Sequence, residues 1–280
     1  LTSPALSHSK FQQLVSIDGG GYDVERISLN YDADISLRQA IDNICQHAEA
    51  STREGKVILV LSDRDITINS LPVPALMATG AVHHHLTEKG LRCDSNIVVE
   101  TASVRDSHQF ACLIGFGATA VYPYLVFDVI CDLVRTGELL MDPIEAQKNY
   151  RKAIDKGLLK ILSKMGISTI ASYRGAQLFE AVGVAEEVAE ICFCGVQSRI
   201  QGATFRDFEN DAKRLAKDAW KARKPIDQGG LLKFVHGGEY HAFNPDVVGA
   251  LHKAVQSGDY EDYREYAALT QDRPVAAIRD

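Results

Sequence analysis

The feature that most constrains the fold is an alternation, over the first 170 residues, between short apolar runs and stretches with helical periodicity. Apolar runs predict five strands, at residues 26–31, 57–61, 96–99, 118–122 and 167–170. Helical spacing of apolar residues predicts the intervening helices, at residues 37–50, 74–89, 106–114, 125–135 and 143–164. Strands separated by helices form βαβ units, so we expect a mainly parallel sheet with right-handed crossovers.

The sequence therefore predicts an α/β fold, while its periodicity leaves the closure of the sheet open. Five parallel strands fit either an open sheet or part of a β/α barrel, and we expect residues 1–175 to form an incomplete, barrel-like α/β core. Residues 176–280 are expected to be a mostly helical cover and connection. Helices are predicted there at residues 184–192, 204–223, 246–256 and 260–269.

Charge and cysteine usage exclude several classes of function. The net charge of −7 argues against nucleic acid as the main partner, because phosphate binding needs a basic surface. No apolar run approaches the ~20 residues that span a membrane, and the N-terminus lacks the pattern of a signal peptide. The six cysteines are scattered rather than arranged as a disulfide framework, which indicates reduced thiols and a cytoplasmic protein.

Polar residues gather where the predicted strands end. They are Asp63, Arg64, Glu100, Tyr122, Ser168, Thr169 and Arg174. In parallel α/β folds the carboxyl ends of the strands form the functional face. These side chains therefore indicate either the active site of an autonomous enzyme acting on a small metabolite or a set of structural pairs that contacts a neighbouring domain.

Four further motifs have ordinary structural interpretations. Gly115 to Ala120 matches the G-x-G-x-x-A dinucleotide fingerprint, but a helix precedes it and a strand follows, so we expect a helix C-cap. Successive side chains of a helix diverge by ~100°, so His83 to His85 are not expected to share a metal. Cys192 and Cys194 lack metal-site spacing, and His236, Glu239 and His241 surround a Gly-Gly turn that we expect to be a docking loop.

Five segments, in order along nearly the whole chain, resemble the central domain of bacterial glutamine-dependent glutamate synthases. The segments are LSDRDI (61–66), PVPALMATGAVHHHL (72–86), IVVETASVRDSHQFACLIGFGATAVYPYL (97–125), KGLLKILSKMGISTIASYRGAQLFE (156–180) and GGLLKFVHGGEYHAFNPDVV (229–248). The resemblance implies a domain of a larger enzyme that converts glutamine and 2-oxoglutarate into two glutamates. We expect the chain to be a domain cut from that enzyme, since Leu1 is not an initiator methionine.

The resemblance also implies how work is divided in the parent enzyme. An amidotransferase domain releases ammonia, and a domain with FMN and an iron–sulfur cluster performs the reduction. Electrons are expected from NADPH through a separate small subunit. The central domain is expected to link the two sites and help frame the ammonia passage, with no catalytic, cofactor-binding or metal-binding residue of its own. The isolated chain is then expected to be inactive; a free-standing enzyme and a stand-alone protein-interaction module are the alternatives.

Overall fold

The structure is a computed structural model that describes residues 3–17, 20–221, 233–238 and 240–272. The chain divides into two compact units, Leu1–Trp220 and Lys221–Asp280, which are described separately. Among the described residues, no helix is both long and apolar enough to cross a lipid bilayer.

The first unit is organised around a parallel sheet of four strands. Its strands are β1 (Val24–Ser28), β3 (Ile58–Ser62), β5 (Asn96–Glu100) and β6 (Ala120–Tyr122), which lie side by side in that order. Two short strands, β2 (Asn30–Asp32) and β4 (Ser70–Pro72), form a separate antiparallel pair. The prediction of an α/β fold with a mainly parallel sheet is confirmed.

The seven helices that the sequence predicts in the first unit are present, together with two short helices, His8–Val15 and Ile170–Tyr173, that it does not predict. They are α1 (His8–Val15), α2 (Leu37–Arg53), α3 (Ala75–Glu88), α4 (Ser107–Gly115), α5 (Tyr124–Arg135), α6 (Pro143–Met165), α7 (Ile170–Tyr173), α8 (Glu186–Cys192) and α9 (Phe205–Ala219). Local capping fixes several starts, because side-chain oxygens accept the free N–H groups of the first turn. Ser36 accepts from the Gln39 N–H, and Asp106 forms a capping box with Gln109.

The two faces of the sheet are covered by different helices. Helices α2, α3 and α4 pack on one face, where Leu59, Leu61 and Val99 belong to the main core. Helices α1 and α5 contribute Phe11 and Phe127 to a smaller core on the other face. Sequential strand order with the three crossover helices on one face is the winding of part of a β/α barrel rather than of a doubly wound sheet.

The predicted fifth strand at residues 167–170 is wrong. Helix α6 ends at Gly166 in the left-handed conformation, and Ile170 already begins helix α7. The free edge of β6 is instead occupied by the N-terminal segment, since the N–H of Leu6 donates to the carbonyl of Val121 at 2.9 Å. With that edge taken, residues 167–170 cannot extend the sheet beside β6.

Residues 26–31, predicted as one strand, divide between two sheets at Leu29. The N–H of Leu29 donates to the carbonyl of Ser62 at 2.7 Å, which continues the pairing of β1 with β3. The carbonyl of Leu29 accepts from the N–H of Val73 at 2.8 Å, which begins the pairing of β2 with β4. One extended run thus leaves the parallel sheet and enters the antiparallel pair.

The predicted mostly helical region also contains two parallel strands, β7 (Ala181–Val184) and β8 (Ser198–Ala203). Helix α8 therefore begins at Glu186, two residues later than predicted, because Val184 is committed to the strand. Helix α9 begins after Thr204 as predicted and ends at Ala219, four residues before the predicted end.

The described part of the second unit contains a helical hairpin, α10 (Pro245–Ser257) and α11 (Tyr260–Gln271). Asn244 precedes α10 as its N-cap residue, and its Oδ1 accepts from the His241 N–H at 2.9 Å. Lys253 Nζ joins the helices by ion pairs to Asp262 at 2.8 Å and Glu265 at 3.1 Å.

Candidate functional site

The carboxyl edge of the parallel sheet carries a buried glutamate held between two arginines. Glu100, the last residue of β5, is 2% exposed. Its Oε2 accepts from Arg26 Nη2 at 2.7 Å and from Ser62 Oγ at 2.7 Å, while its Oε1 lies 3.2 Å from Arg64 Nε. Because Arg26, Ser62 and Arg64 come from β1, β3 and the residues after β3, this one carboxylate joins three neighbouring chain segments.

Asp63 is satisfied by a different set of donors at the same edge. Its Oδ2 accepts from Thr101 Oγ1 at 2.5 Å, and its Oδ1 accepts from the N–H of Ala102 at 3.0 Å. Asp63 is 8% exposed, so both of its oxygens are removed from bulk water. The carboxylate binds the turn after β5 to the end of β3.

Two tyrosines complete the edge beside β6. Tyr122 Oη lies 2.8 Å from His8 Nδ1 of helix α1, and Arg64 stacks over the Tyr124 ring with its Cζ 4.3 Å from the ring centroid. Burial raises the pKa of both phenols above the usual value, and for Tyr124 the Asp63 carboxylate raises it further. Both phenols therefore stay protonated at neutral pH.

A cleft opens beside these groups, between helix α1 and the sheet. Its volume is about 370 Å³, and Arg26, Arg64, Glu100, Tyr122 and His8 line its polar end. The cleft lies on the face of the sheet that is not covered by α2 to α4. Four of the predicted site residues, Asp63, Arg64, Glu100 and Tyr122, thus lie together at or beside one cleft.

Ser168, Thr169 and Arg174 lie elsewhere. The first two are exposed between α6 and α7, where Thr169 Oγ1 lies 2.8 Å from Ser172 Oγ. Next to Arg174, the N–H of Gly175 donates to the carbonyl of Gly115 at 2.9 Å. Gly115 ends α4 just before β6 begins, so Arg174 lies at the amino edge of the sheet, opposite Glu100. Arg174 therefore does not pair with Asp63 or Glu100, whereas Arg64 does pair with Glu100.

The three successive histidines point to three different partners, as their helical spacing predicts. His85 Nε2 lies 2.7 Å from Glu49, and His84 Nε2 lies 3.1 Å from Glu88. His83 Nδ1 accepts from Arg92 Nε at 2.8 Å at the amino edge. Burial and the nearby arginines Arg92 and Arg174 lower the pKa of His83 to about 4, so this imidazole is neutral at pH 7. In the described ranges, no group of three or more His, Cys, Asp or Glu side chains could hold a metal ion.

The glycines of the G-x-G-x-x-A segment serve packing at the turn from α4 into β6. Gly117 has φ +120°, and a Cβ there would lie 2.5 Å from the ring of His83. A Cβ on Gly115 would lie 2.4 Å from the Phe179 ring. The segment follows a helix and precedes a strand, so no helix N-terminus faces it, and the dinucleotide interpretation fails.

All six cysteines are free thiols, and their environments range from buried to exposed. Cys45 and Cys192 are buried, and burial raises the pKa of each to about 12. Cys93, Cys131 and Cys194 are exposed, and Cys112 is half-buried.

In the second unit, His236 lies in a turn and His241 lies just before α10, while Glu239 falls outside the described residues. The predicted docking loop around the Gly-Gly turn therefore stays a prediction.

Two important residues of the carboxyl edge were missed in the sequence, Arg26 and His8. Arg26 lies in the middle of β1 on the same face as Val24, so a charged residue within an apolar strand was the available signal. His8 lies in the short helix α1, which no apolar periodicity in the sequence predicts.

Comparisons with known proteins give one consistent family. The sequence profile described as "Glutamate synthase central domain" matches residues 1–185. The ferredoxin-dependent glutamate synthase of Pyropia yezoensis is 42% identical over 88% of this chain and 17% of the relative. Ferredoxin-dependent glutamate synthase 2 of Synechocystis is 39% identical over 100% of this chain and 20% of the relative.

The large chain of the NADPH glutamate synthase of Bacillus subtilis is 34% identical over 100% of this chain and 18% of the relative. This chain thus spans about a fifth of the length of these relatives. Among solved structures, DHODH from Eimeria tenella aligns with 55% of this chain and with 38% of its own chain, at 14% identity and a TM-score of 0.38. The matching profile and the alignments over the whole of this chain establish that it belongs to the glutamate synthase family, with residues 1–185 corresponding to the central domain.

Proposed function

We propose that this chain is a non-catalytic part of a glutamate synthase that joins the amidotransferase and flavin domains and helps to frame the passage of ammonia. The whole enzyme would convert glutamine, 2-oxoglutarate and two electrons into two glutamates. The observation that carries the proposal is the internal pairing of the carboxyl edge. Glu100 and Asp63, the groups best placed for acid–base chemistry, are instead bound to Arg26, Arg64, Ser62, Thr101 and Ala102.

Catalytic acids and bases must reach the proton that they transfer. Glu100 and Asp63 are 2% and 8% exposed, and both oxygens of each carboxylate already have partners. Such pairing stiffens the ends of β1, β3 and β5 relative to one another. A stiff, tightly packed spacer suits an enzyme that passes ammonia between distant sites, because the sites must keep a constant separation.

The residues of this chain do not fit the two redox groups that the family implies. An iron–sulfur cluster needs several cysteine thiolates at one place, whereas Cys45 and Cys192 are buried and Cys93, Cys131 and Cys194 are exposed and scattered along the chain. A glycine-rich loop for the phosphate of FMN would lie at the carboxyl edge, whereas the Gly115–Gly117 turn lies at the amino edge. We therefore assign FMN and the cluster to other parts of the parent polypeptide.

The partners of the chain would be the amidotransferase and flavin domains of the same polypeptide. Arg64 is a candidate contact, since its side chain is 37% exposed while its guanidinium is held by Glu100 and Tyr124. His236 and His241 are candidate contacts in the second unit. We propose a cytoplasmic enzyme on the basis of its unpaired thiols. NADPH through a small subunit is the proposed electron source, although relatives named for ferredoxin and for NADPH both match.

The proposal is tested in a full-length glutamate synthase that contains this chain, with Arg64→Gln as the variant and Arg53→Gln as the matched control. Arg53 is a half-exposed arginine of α2 that pairs with Glu49, away from the carboxyl edge. Glutamine hydrolysis and glutamate formation are measured separately. Arg64→Gln is expected to leave glutamine hydrolysis within about twofold of wild type and to lower the glutamate formed per glutamine consumed. A loss of more than about a hundredfold in either reaction, in a folded variant, would assign the edge to catalysis.

A further inference from the structure

We propose that the cleft between helix α1 and the sheet binds a small organic carboxylate whose hydrocarbon body lies against the sheet. Neither the proposed spacer role nor the family assignment uses this cleft. Its volume of about 370 Å³ falls within the range of small-molecule sites. The two ends of the cleft present different chemistry.

The polar end of the cleft offers hydrogen-bond donors that are held in place. Arg26 Nη2 donates to Ser62 Oγ at 3.0 Å and to Glu100 Oε2 at 2.7 Å, which uses both of its N–H bonds. The Nε–H and Nη1–H groups of Arg26 have no acceptor among the described residues. The buried Glu100 carboxylate holds the Arg26 guanidinium in place at the mouth of the cleft. One Nε–H and two Nη1–H donors of Arg26 are then open to a ligand.

The charges that line the cleft favour a single negative charge on the ligand. Arg26 and Arg64 contribute two positive charges, and Glu100 contributes one negative charge. Asp65 lies 3.8 Å from Arg26 and is 81% exposed, while Asp128 lies 4.0 Å from Arg64 and is 67% exposed. Exposed carboxylates of this kind are screened by water, and the Asp63 carboxylate, which does not line the cleft, accepts from the Thr101 hydroxyl and the Ala102 N–H. The residues that line the cleft therefore carry one more positive charge than negative.

The other end of the cleft is apolar. Phe11 and Val15 of helix α1 face Val24 of β1 and Val60 of β3 across it. A hydrocarbon chain of a few carbons would lose its contact with water there, and each buried methylene strengthens binding by a factor of about four. A cleft with hydrogen-bond donors at one end and apolar side chains at the other favours an organic carboxylate over inorganic phosphate.

The test is calorimetric titration of the 280-residue chain with pentanoate, and with acetate, pentanamide and inorganic phosphate as ligand controls. Pentanoate is expected to bind at least about tenfold more tightly than acetate, because it adds three methylenes. It is also expected to bind at least about tenfold more tightly than the uncharged pentanamide and than phosphate.

Two variants locate the site. Arg26→Gln is expected to weaken pentanoate binding about tenfold, whereas Arg53→Gln should leave it unchanged. Gln12→Glu places a carboxylate at the cleft on an exposed helical position, so it tests the site without disturbing Glu100, and about fivefold weaker binding is expected. The proposal is overturned if pentanoate does not bind, if it binds no better than acetate or phosphate, or if Gln12→Glu and Arg26→Gln bind it like wild type. Those outcomes leave the proposed spacer role standing, since that role is tested by the two reactions of the whole enzyme.

Discussion

Replacing Glu100 by glutamine removes one charge from the centre of the carboxyl edge while keeping the size of the side chain. The amide oxygen can still accept from Ser62 Oγ, which donates to Oε2 at 2.7 Å. The amide also loses the negative charge that faces Arg26 at 2.7 Å and Arg64 at 3.2 Å. Two arginines are then left beside each other without the carboxylate that separates them.

The size of the effect follows from the burial of the three side chains. Breaking a fully buried ion pair costs about 3–5 kcal/mol, because one charge stays buried and unpaired. Here the glutamate side chain is 3% exposed, but those of Arg26 and Arg64 are 49% and 37% exposed and can regain water. We therefore expect Glu100→Gln to lower the free energy of unfolding of the first unit by about 2 kcal/mol.

Urea denaturation followed by circular dichroism measures this change, provided that the slope of the transition is the same in wild type and variant. Asp128→Asn is the matched control, since Asp128 is 67% exposed and lies 4.0 Å from the same Arg64. The control is expected to change the free energy of unfolding by less than about 0.5 kcal/mol. If Glu100→Gln were no more destabilising than Asp128→Asn, the buried carboxylate would not organise this edge, and the reasoning would be refuted.

Three further predictions concern packing, pH and thiol reactivity. A Cβ on Gly80 would overlap the Cys192 carbonyl oxygen, so Gly80→Ala is expected to separate α3 from α8 and to lower the melting temperature. The control is Gly249→Ala in α10, where a Cβ meets open space, and it should leave the melting temperature unchanged or raise it. His83 is neutral in the folded chain, with its pKa lowered to about 4, so the unfolded chain binds more protons than the folded chain below pH 6.5. The free energy of unfolding is therefore expected to fall by roughly 1–2 kcal/mol between pH 6.5 and 5. The urea midpoint of His83→Gln should fall less over the same range, and an equal fall in wild type and variant would contradict the assignment. At pH 8 a chromogenic disulfide reagent is expected to label the exposed Cys93, Cys131 and Cys194 rapidly. The buried Cys45 and Cys192 should react only after urea is added. Rapid labelling of all six thiols without urea would show that the core around α2 and α8 is not closed.

The elements that the sequence predicts well are those whose signals are local. Helix α2 begins after Ser36 and helix α4 after Asp106, because a capping side chain and an apolar period lie within a few residues of each start. Strand β3 is fully buried along its length, which its continuous apolar run predicts.

The elements that the sequence does not predict depend on distant partners. Residues 167–170 have the composition of a strand, but the edge of β6 is already paired with the segment around Ala5. Strand β4 has only three residues and exists because β2 turns out of the parallel sheet to meet it. At the candidate site, Asp63, Arg64, Glu100 and Tyr122 converge because parallel strands end at one edge, whereas Arg174 was placed with them only through a strand that does not form.

The central claim is that this chain carries no catalytic group of glutamate synthase. Glutamate formation by the purified 280-residue chain tests it most directly, with glutamine, 2-oxoglutarate, FMN and either NADPH or reduced ferredoxin supplied. A full-length glutamate synthase under the same conditions is the positive control. We expect no glutamate above the protein-free control with either electron donor. Glutamate that forms in proportion to the chain, and is lost in the Glu100→Gln variant, would contradict the claim and make the carboxyl edge an active site.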